Sequence, residues 1–299
     1  MSPDVIPTPA WLAGVGALPL TGAARVLGRL NGEPHVVALC VSRDEEPGEV
    51  AKHYPSGNAL HVAGIMRALG HALGPKAPLA VPAVLACESQ GLVLVQTAAR
   101  GRPLLPLLQS DDRSAALRAA GRALACLHQQ RVFAGRLVTM SDHLRDLIHP
   151  HPEMVADALT DIGGRVRALM AALLGRDRAT VVERAVPIHR DVHARQMFLE
   201  DDQRVWMVDW DLFAYGDPAL DVANFSVYLR THLTNHAEDA ALRFLSAYAE
   251  AGGDVSKCVA PHMALTYLRL VCKAHRLRGD GWRDRVDNYL ARAEAHLTE

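Results

Sequence analysis

The sequence predicts an α+β fold: a small antiparallel β lobe with one helix, followed by a larger, mainly helical lobe. In the first 100 residues, short apolar runs alternate with clusters of Asn, Gly, Pro and Ser, which is typical of strands joined by turns. After Arg100-Gly101-Arg102-Pro103, apolar residues recur every three or four positions, as amphipathic helices require. Two strand-like runs around Asp201-Asp202-Gln203 predict a hairpin embedded among the helices.

The β lobe is predicted from apolar or mixed runs bounded by turn residues. These runs are Val36–Val41, Glu49–Tyr54, Ala83–Cys87 and Leu92–Val95. One helix is predicted between Asn58 and Leu73. Its apolar face comprises Leu60, Gly64, Met66, Ala68 and Leu69.

The helical lobe is predicted from three periodic segments. The first is Arg113–Gln130, whose apolar positions are Leu117, Ala120, Leu124 and Leu127. The other two carry Leu242, Leu245 and Tyr248, and then Met263, Tyr267, Leu270, Ala274 and Leu277. The embedded hairpin is predicted from the runs Pro187–Leu199 and Val205–Asp211.

Composition argues against several classes of protein. The chain has 299 residues with 32 Lys+Arg against 33 Asp+Glu, so it lacks the positive charge typical of nucleic-acid-binding proteins. No stretch of 18 uncharged apolar residues occurs, so we expect no membrane span. The amino terminus carries Asp4 and three early prolines where a signal peptide would carry a basic residue and an apolar run. We therefore expect a cytoplasmic protein with no nucleic-acid or membrane partner, and the oligomeric state is left open.

Cysteine and histidine spacing predicts no metal centre built from these residues. The five cysteines form no CxxC pair, and we interpret them as small apolar residues in a reducing compartment. No HExxH motif is present, and His149-Pro150-His151-Pro152 is unlike a zinc-binding helix face.

One polar segment carries the chemistry. Asp191 follows a strand-like run and precedes the apolar triplet Met197-Phe198-Leu199, so buried neighbours would brace the loop that holds it. Gln196 follows five residues later, and Asp209 follows 18 residues after Asp191, at the end of another apolar run. Phosphoryl transfer needs a carboxylate that orients a hydroxyl, and a carboxylate with an amide to hold Mg²⁺ on phosphates.

These residues occur in the order His189-Arg190-Asp191, Gln196, Asp209 and Gly216-Asp217-Pro218-Ala219-Leu220-Asp221. The sequence thereby resembles the aminoglycoside phosphotransferase and choline kinase-like small-molecule kinases, which have the two-lobed protein-kinase-like fold. The resemblance implies an N-terminal nucleotide-binding lobe over 1–95 and a hinge with a catalytic and substrate lobe over 96–299. It covers nearly the whole chain, although the first third matches in layout more than in residues.

The resemblance assigns roles in the catalytic lobe. Asp191 would accept or orient the proton of the substrate hydroxyl, and His189 would brace its loop. Asp209 and Gln196 would ligate Mg²⁺, with Gln196 standing where the family usually has Asn. Asp217 and Asp221 would anchor the loop and the next helix, and Asp211 would be a turn or capping residue. For His193 two interpretations stay open: contact with substrate, or an incidental surface residue.

In the N-terminal lobe, the resemblance places Lys52 on the third strand, where it would reach the nucleotide phosphates. The usual glutamate partner would fall at Val62, but the helix contains no acid. Lys52 would then be held by Asp209 or by the phosphates, unless the register differs. Adenine would contact the backbone at Gln96, Thr97 and Ala98. Gly22, Gly28 and Gly32 are candidates for a phosphate-covering loop, although no GxGxxG motif occurs.

The resulting hypothesis is an ATP-dependent phosphotransferase, with GTP possible, that phosphorylates a hydroxyl of a small molecule. The alternative is a catalytically impaired, pseudokinase-like binding protein, suggested by Val62 and Gln196. Residues 270–299 carry six basic and five acidic residues, which does not favour a polycationic aminoglycoside. A choline cage could form from Trp210, Phe213, Tyr215, Tyr228 and Trp282. A sugar or other weakly charged metabolite fits at least as well as an aminoglycoside or amino alcohol.

Overall fold

The computed structural model describes residues 23–30, 35–41, 47–132, 134–176, 185–233, 236–254 and 259–298. An antiparallel sheet precedes a mainly helical region, so the predicted α+β fold class is confirmed. The strands are β1 (Ala23–Leu30), β2 (His35–Val41), β3 (Pro47–His53), β4 (Leu79–Ala80), β5 (Val84–Cys87), β6 (Val93–Thr97), β7 (Arg102–Pro103), β8 (Val186–Ile188), β9 (Met197–Leu199), β10 (Val205–Met207) and β11 (Ala214–Gly216). The helices are α1 (Ala59–Ala72), α2 (Leu104–Leu108), α3 (Arg113–His128), α4 (Met140–Asp146), α5 (Pro152–Ala158), α6 (Thr160–Arg176), α7 (Ala219–His232), α8 (Ala237–Glu250), α9 (Val259–Leu277) and α10 (Trp282–Thr298).

The N-terminal sheet has the order β1-β2-β3-β6-β5, with every neighbouring pair antiparallel. Lys52 on β3 pairs with Val37 on β2 and with Leu94 on β6, so it lies in the middle of the sheet. The four predicted strands are present, and β1 adds a fifth that the sequence did not reveal. The lobe boundary predicted between residues 95 and 96 falls inside β6, and the division into two lobes stays a prediction.

The predicted helix of this lobe is α1, which packs on the sheet through a face that differs from the expected one. Met66 and Leu69 are buried as expected, but Leu60 is 50% exposed. The buried face consists instead of Ala59, Val62, Ala63, Ile65, Met66 and Leu69. Small and β-branched residues fill this contact, which is why the spacing of the largest apolar residues misplaced it. Val62 therefore belongs to the apolar core, where an ionised glutamate would need a partner.

The embedded hairpin is shorter than the runs that predicted it. The run Pro187–Leu199 divides into β8, a polar loop and β9, and the run Val205–Asp211 remains a strand only to Met207. The hairpin β9–β10 joins β4 and β7 in a four-stranded sheet, whereas β8 pairs with β11. Backbone amides in the polar loop bond to a buried carboxylate rather than to a neighbouring strand. The loop therefore leaves the sheet at the position where the sequence carries its polar motif.

Two apolar clusters hold the helices. One joins α1 and β6 to α2, α3, α7 and α8, and the other lies among α4 to α7, α9 and α10. The four apolar positions predicted for α3 are fully buried. On α8 and α9, however, Leu242 and Leu277 are 64% and 63% exposed, contrary to their predicted place on apolar faces. Alanines and Phe244 carry much of the α8 contact, and α3 approaches so closely that a Cβ at Gly121 would lie 2.8 Å from the Phe244 carbonyl oxygen.

At the connection between sheet and helices, Gly101 has a φ of 91°. A Cβ at this position would collide with the Leu199 carbonyl on β9. Only glycine combines this conformation with so close an approach. The turn after β6 is thus fixed against the hairpin that precedes Asp209.

Among the described residues, no group of His, Cys, Asp and Glu could by itself hold a metal ion. His151 accepts a hydrogen bond from the Glu153 amide at the start of α5. Cys87, Cys126 and Cys272 are free thiols, whereas the side chains of Cys40 and Cys258 lie outside the described residues. Over the same ranges, no helix has the length and apolar character needed to cross a membrane.

Candidate active site

A buried carboxylate fixes the polar loop between β8 and β9. Asp221 on α7 has no solvent exposure. Its two oxygens accept the backbone amides of His189 at 2.7 Å and Arg190 at 2.8 Å. Arg190 has a φ of 73°, which is uncommon for a residue with a side chain. Two hydrogen bonds to a buried carboxylate offset that conformational cost, and the loop then presents Asp191.

The loop is also joined to the segment after β10. His189 Nε2 donates to the Val208 carbonyl at 2.9 Å, and the Val208 amide donates to the Gln196 carbonyl at 3.0 Å. Asp209 follows immediately, with a φ of 71°. These bonds bring Asp191, Gln196 and Asp209 together. His189 is completely buried, so its contribution is to the arrangement of the two segments.

Gln196 connects the two carboxylates through its amide. Its Nε2 lies 3.4 Å from Asp191 Oδ2 and 3.2 Å from Asp209 Oδ2. Its Oε1 is buried without a hydrogen-bond partner among the described residues. Rotating the amide would point that oxygen at two carboxylates, so the orientation shown is the favourable one. The result is an unsatisfied, buried carbonyl oxygen beside two acidic groups.

Asp191 is balanced by a guanidinium from the C-terminal helices. Arg269 Nη2 on α9 lies 2.9 Å from Asp191 Oδ1, and His193 Nε2 lies 3.8 Å from Oδ2. Burial alone would raise the pKa of Asp191, but the charges of Arg269 and the neighbouring histidines hold it below its ordinary value. Asp191 is therefore ionised at neutral pH, with Oδ2 as its less engaged oxygen.

Lys52 lies within reach of two carboxylates. Its Nζ is 2.6 Å from Asp209 Oδ1 and 2.5 Å from Asp211 Oδ2, and the residue is 7% exposed. Burial favours the neutral amine, but Asp209 and Asp211 raise the pKa of Lys52 above its ordinary value. The ammonium group of Lys52 in turn lowers the pKa of Asp209, although burial of that carboxylate would raise it. One of the alternatives weighed for Lys52, a partner in Asp209, is what the structure shows.

Asp211 has a larger place in the site than the turn or capping role expected for it. Besides Lys52, it accepts a hydrogen bond from the Tyr54 hydroxyl at 2.8 Å. Tyr54 is buried two positions after Lys52, at the end of β3. Asp211 thereby supplies a carboxylate partner for Lys52, since helix α1, where the glutamate partner was expected, contains no acidic residue.

Most of the chain matches the model of a known enzyme family. The model of the phosphotransferase enzyme family matches residues 41–262. The chain belongs to this family. The resemblance drawn from the motifs is thus confirmed, although no curated protein matches the sequence.

Solved structures with the same fold include several kinases. A macrolide 2'-phosphotransferase, MphH from Brachybacterium faecium, has 20% identity and a TM-score of 0.58, over 93% of this chain and 96% of the other. A choline/ethanolamine kinase family protein from Mesorhizobium loti has 18% identity and a TM-score of 0.59, over 96% and 93%. The amicoumacin kinase hAmiN, in complex with AMP-PNP and Ca²⁺, has 14% identity and a TM-score of 0.65, over 91% and 88%. At these identities the likeness shows the shared fold.

The family's expected adenine contacts fall where part of the backbone is already engaged. The amide of Thr97 donates to the Ala83 carbonyl at 2.9 Å, and the amide of Ala98 donates to the Gly48 carbonyl at 3.2 Å. Gln96 is buried within β6, opposite Val50 and Val84. Gly22 and Gly32, candidates for the phosphate-covering loop, lie outside the described residues, and Gly28 lies at a β-bulge in β1.

The aromatic residues considered for a choline cage do not gather over the described ranges. Phe213 contacts Trp210 on one side and Tyr215 on the other, and both Trp210 and Phe213 are buried in the core. Tyr228 stacks between His193 and His232 instead. Trp282 contacts His275 on α9 and Arg278 immediately after that helix.

Sequence reasoning missed Asp211, Tyr54 and Arg269 at this site. The signal for Arg269 was a lone charge within the apolar run Leu268-Arg269-Leu270-Val271. Such a charge in a buried helix face requires a partner. For Asp211, the signal was a second carboxylate beside Trp210. Its contact with Lys52 could not be predicted, because that contact depends on how β3 meets the segment after β10.

Proposed function

We propose that this phosphotransferase uses ATP to phosphorylate a hydroxyl of a small molecule, in a site formed by Lys52, Asp191, Gln196 and Asp209. The observation that best supports this proposal is the continuous set of contacts from Lys52 through Asp209 and Gln196 to Asp191. One end of this set is a cation for phosphates, and the other is a carboxylate with an accessible oxygen. Phosphoryl transfer depends on positioning and charge stabilisation of this kind.

In the proposed reaction, the acceptor hydroxyl donates a hydrogen bond to Asp191 Oδ2. Its oxygen attacks the γ-phosphorus, the bond from that phosphorus to the bridging oxygen of ADP breaks, and the hydroxyl proton passes to Asp191. Arg269 occupies Oδ1, so Oδ2 is left to face the acceptor. Asp191 acts here as the positioned base that general acid–base catalysis requires.

The donor set fits Mg²⁺. Asp209 offers a carboxylate, and Gln196 offers the unpaired Oε1; Mg²⁺ is held through oxygen atoms, commonly with few protein ligands and several from substrate phosphates. These two residues would hold the ion. When bound, Mg²⁺ would neutralise charge on the β- and γ-phosphate oxygens. The extra methylene of Gln196 relative to Asn is accommodated, because its amide already spans both carboxylates.

For the nucleotide, we propose that Lys52 contacts the phosphates and that adenine lies along Gln96, Thr97 and Ala98. Since the amides of Thr97 and Ala98 bond within the sheet, the proposed adenine contacts there use the remaining backbone groups of this segment. The pseudokinase-like alternative loses part of its support. One of its two arguments was the missing glutamate partner of Lys52 at Val62, and Asp209 and Asp211 both lie within 2.6 Å of Lys52 Nζ; the other, Gln196 in place of Asn, remains.

The test combines nucleotide binding with turnover. We expect ATP with Mg²⁺ to raise the melting temperature of the purified protein, by several degrees at about 100 times its Kd. GTP, measured in parallel, decides between the two nucleotides. Asp209→Ala should lose the Mg²⁺-dependent part of the shift. No shift with either nucleotide would contradict the proposed function.

Turnover is then measured as ADP release with a panel of sugars, amino alcohols and hydroxy acids. Asp191→Asn should lower kcat by at least about 100-fold while keeping the ATP-dependent stabilisation. Asp217→Asn is the matched control, because over the described residues the one hydrogen bond of the Asp217 carboxylate comes from the Ala219 amide at the start of α7. Full turnover in Asp191→Asn would refute the role proposed for Asp191.

A further inference from the structure

The charges around Asp191 are mainly basic. Helix α9 contains no acidic residue, and Arg269, Lys273 and Arg276 follow one another at intervals of four and three positions. Residues at such intervals share one face of a helix. Arg269 contacts Asp191, so this face leads from the carboxylate toward solvent.

Arg269 and Lys273 differ in what they have left to bind. The charge of Arg269 is balanced by Asp191, and its other nitrogen donates to Asn224 Oδ1 at 3.1 Å. Lys273 is exposed and has no carboxylate partner among the described residues. It lies one helical turn beyond Arg269, which is about 6 Å along the axis. Lys273 is therefore attached about one turn further along α9 than the arginine that contacts the proposed base.

A second element brings another cation to the same region. The rings of His193, Tyr228 and His232 form a stack, with centroid distances of 5.7 and 4.0 Å. His193 Nε2 lies 3.8 Å from Asp191 Oδ2, so the stack begins beside the base. Burial lowers the pKa of His232, and the positive charges of Arg195 and Lys273 lower it further. Arg195 itself follows His193 by two positions, in the short turn Ala194–Gln196 that leads into β9.

The acidic groups in this region are already engaged. Asp191 pairs with Arg269, Asp221 is buried against the loop amides, and Asp209 pairs with Lys52. Arg230, at the end of α7, pairs with Glu238. Among the described ion pairs, neither Arg195 nor Lys273 has a carboxylate partner.

We propose that the acceptor carries an anionic group, a carboxylate or a phosphate, that binds Lys273 and Arg195 while its hydroxyl contacts Asp191. This inference rests on the function proposed above and specifies its substrate class. A cationic acceptor would place its charge beside two unpaired cations, which is unfavourable. A neutral acceptor would leave both cations without a partner in the complex.

Matched acceptors of one shape separate the possibilities. One set is glycerol, glycerate, glycerol 3-phosphate and 3-amino-1,2-propanediol, and a second is sorbitol, gluconate and 1-amino-1-deoxysorbitol. Binding is measured by melting shift, with and without Mg²⁺ and AMP-PNP, and turnover by ADP release. We expect an anionic member of a set to have the lowest KM, by about tenfold or more. The carboxylate and phosphate members of the first set distinguish the two anionic groups.

The variants are Lys273→Gln and Lys273→Glu, with Lys76→Glu as the control that makes the same charge change at an exposed lysine near Arg204. We expect Lys273→Glu to raise the KM of the anionic acceptor by about tenfold or more, with the KM for ATP unchanged. Lys273→Gln should have a smaller effect in the same direction, and Lys76→Glu none.

Equal affinity across both sets, tightest binding of an amine, or an unchanged acceptor KM in Lys273→Glu would overturn the inference. The Mg²⁺-dependent ATP shift on the same samples identifies which proposal fails. If that shift is present and an amine or neutral acceptor is preferred, the phosphotransferase proposal stands and the anionic class is wrong. If the shift is absent, the proposed function itself fails.

Discussion

Removing the carboxylate of Asp221 should destabilise the protein strongly. Asp221 is fully buried and accepts two backbone amides, from His189 and Arg190. Hydrogen bonds to a charged group contribute about 1.5–3 kcal/mol each, and the variant would leave both amides without this acceptor. Removing the buried charge also relieves its own desolvation. We therefore expect Asp221→Ala to lower the free energy of unfolding by about 3–5 kcal/mol.

The measurement is urea unfolding, followed by the midpoint and the m-value. For a chain of this size, the expected loss corresponds to a fall in melting temperature of roughly 6–20 °C. Asp217→Ala is the control in the same turn, because it removes one bond at a helix start, worth about 1 kcal/mol. If the two variants lose equal stability, or if Asp221→Ala loses less than about 1 kcal/mol, the bidentate carboxylate does not hold the loop.

Three further predictions concern Gly101, Arg269 and Gln196. Gly101→Ala should lower the free energy of unfolding by at least about 2 kcal/mol, because its Cβ would meet the Leu199 carbonyl. Gly64→Ala on helix α1, where a Cβ meets nothing within 4 Å, should raise the free energy of unfolding by about 0.5–1 kcal/mol. Equal effects of the two variants in chemical unfolding would contradict this prediction. Because Arg269 holds the pKa of Asp191 below its ordinary value against burial, the stability that Asp191 contributes is present above about pH 4 and is lost as the pH falls through the lowered value. Arg269→Gln should raise that pKa and add an acid limb to the pH–rate profile that wild type and Arg269→Lys lack, whereas identical profiles would show that Arg269 does not set the pKa. Gln196→Asn should retain Mg²⁺-dependent activity if the amide oxygen is a ligand. If the melting curve shows instead that the variant is already unfolded at room temperature, Gln196 has a structural role.

Strong local signals account for the successful predictions. The α3 pattern placed Leu117, Ala120, Leu124 and Leu127 in the core, where all four are fully buried. Glycine and proline clusters marked the turns of the β lobe because few other residues adopt the backbone conformations that turns need. Predictions based only on large apolar side chains were weaker: Leu60, Leu242 and Leu277 are exposed. At those helices, alanines and close backbone approach carry part of the contact.

The sequence by itself determined which residue types make up the candidate site, because residue type and order suffice to single out two carboxylates and an amide. Only the tertiary structure decided how those groups are held. The pairing of Lys52 with Asp209 and Asp211 joins residues 157 and 159 positions apart, and Arg269 reaches Asp191 over 78. Coulomb interactions and burial depend on distance in space and on the excluded solvent. Neither quantity can be read from local sequence, so the charge balance around Asp191 is known only from the packing of α9 beside the loop.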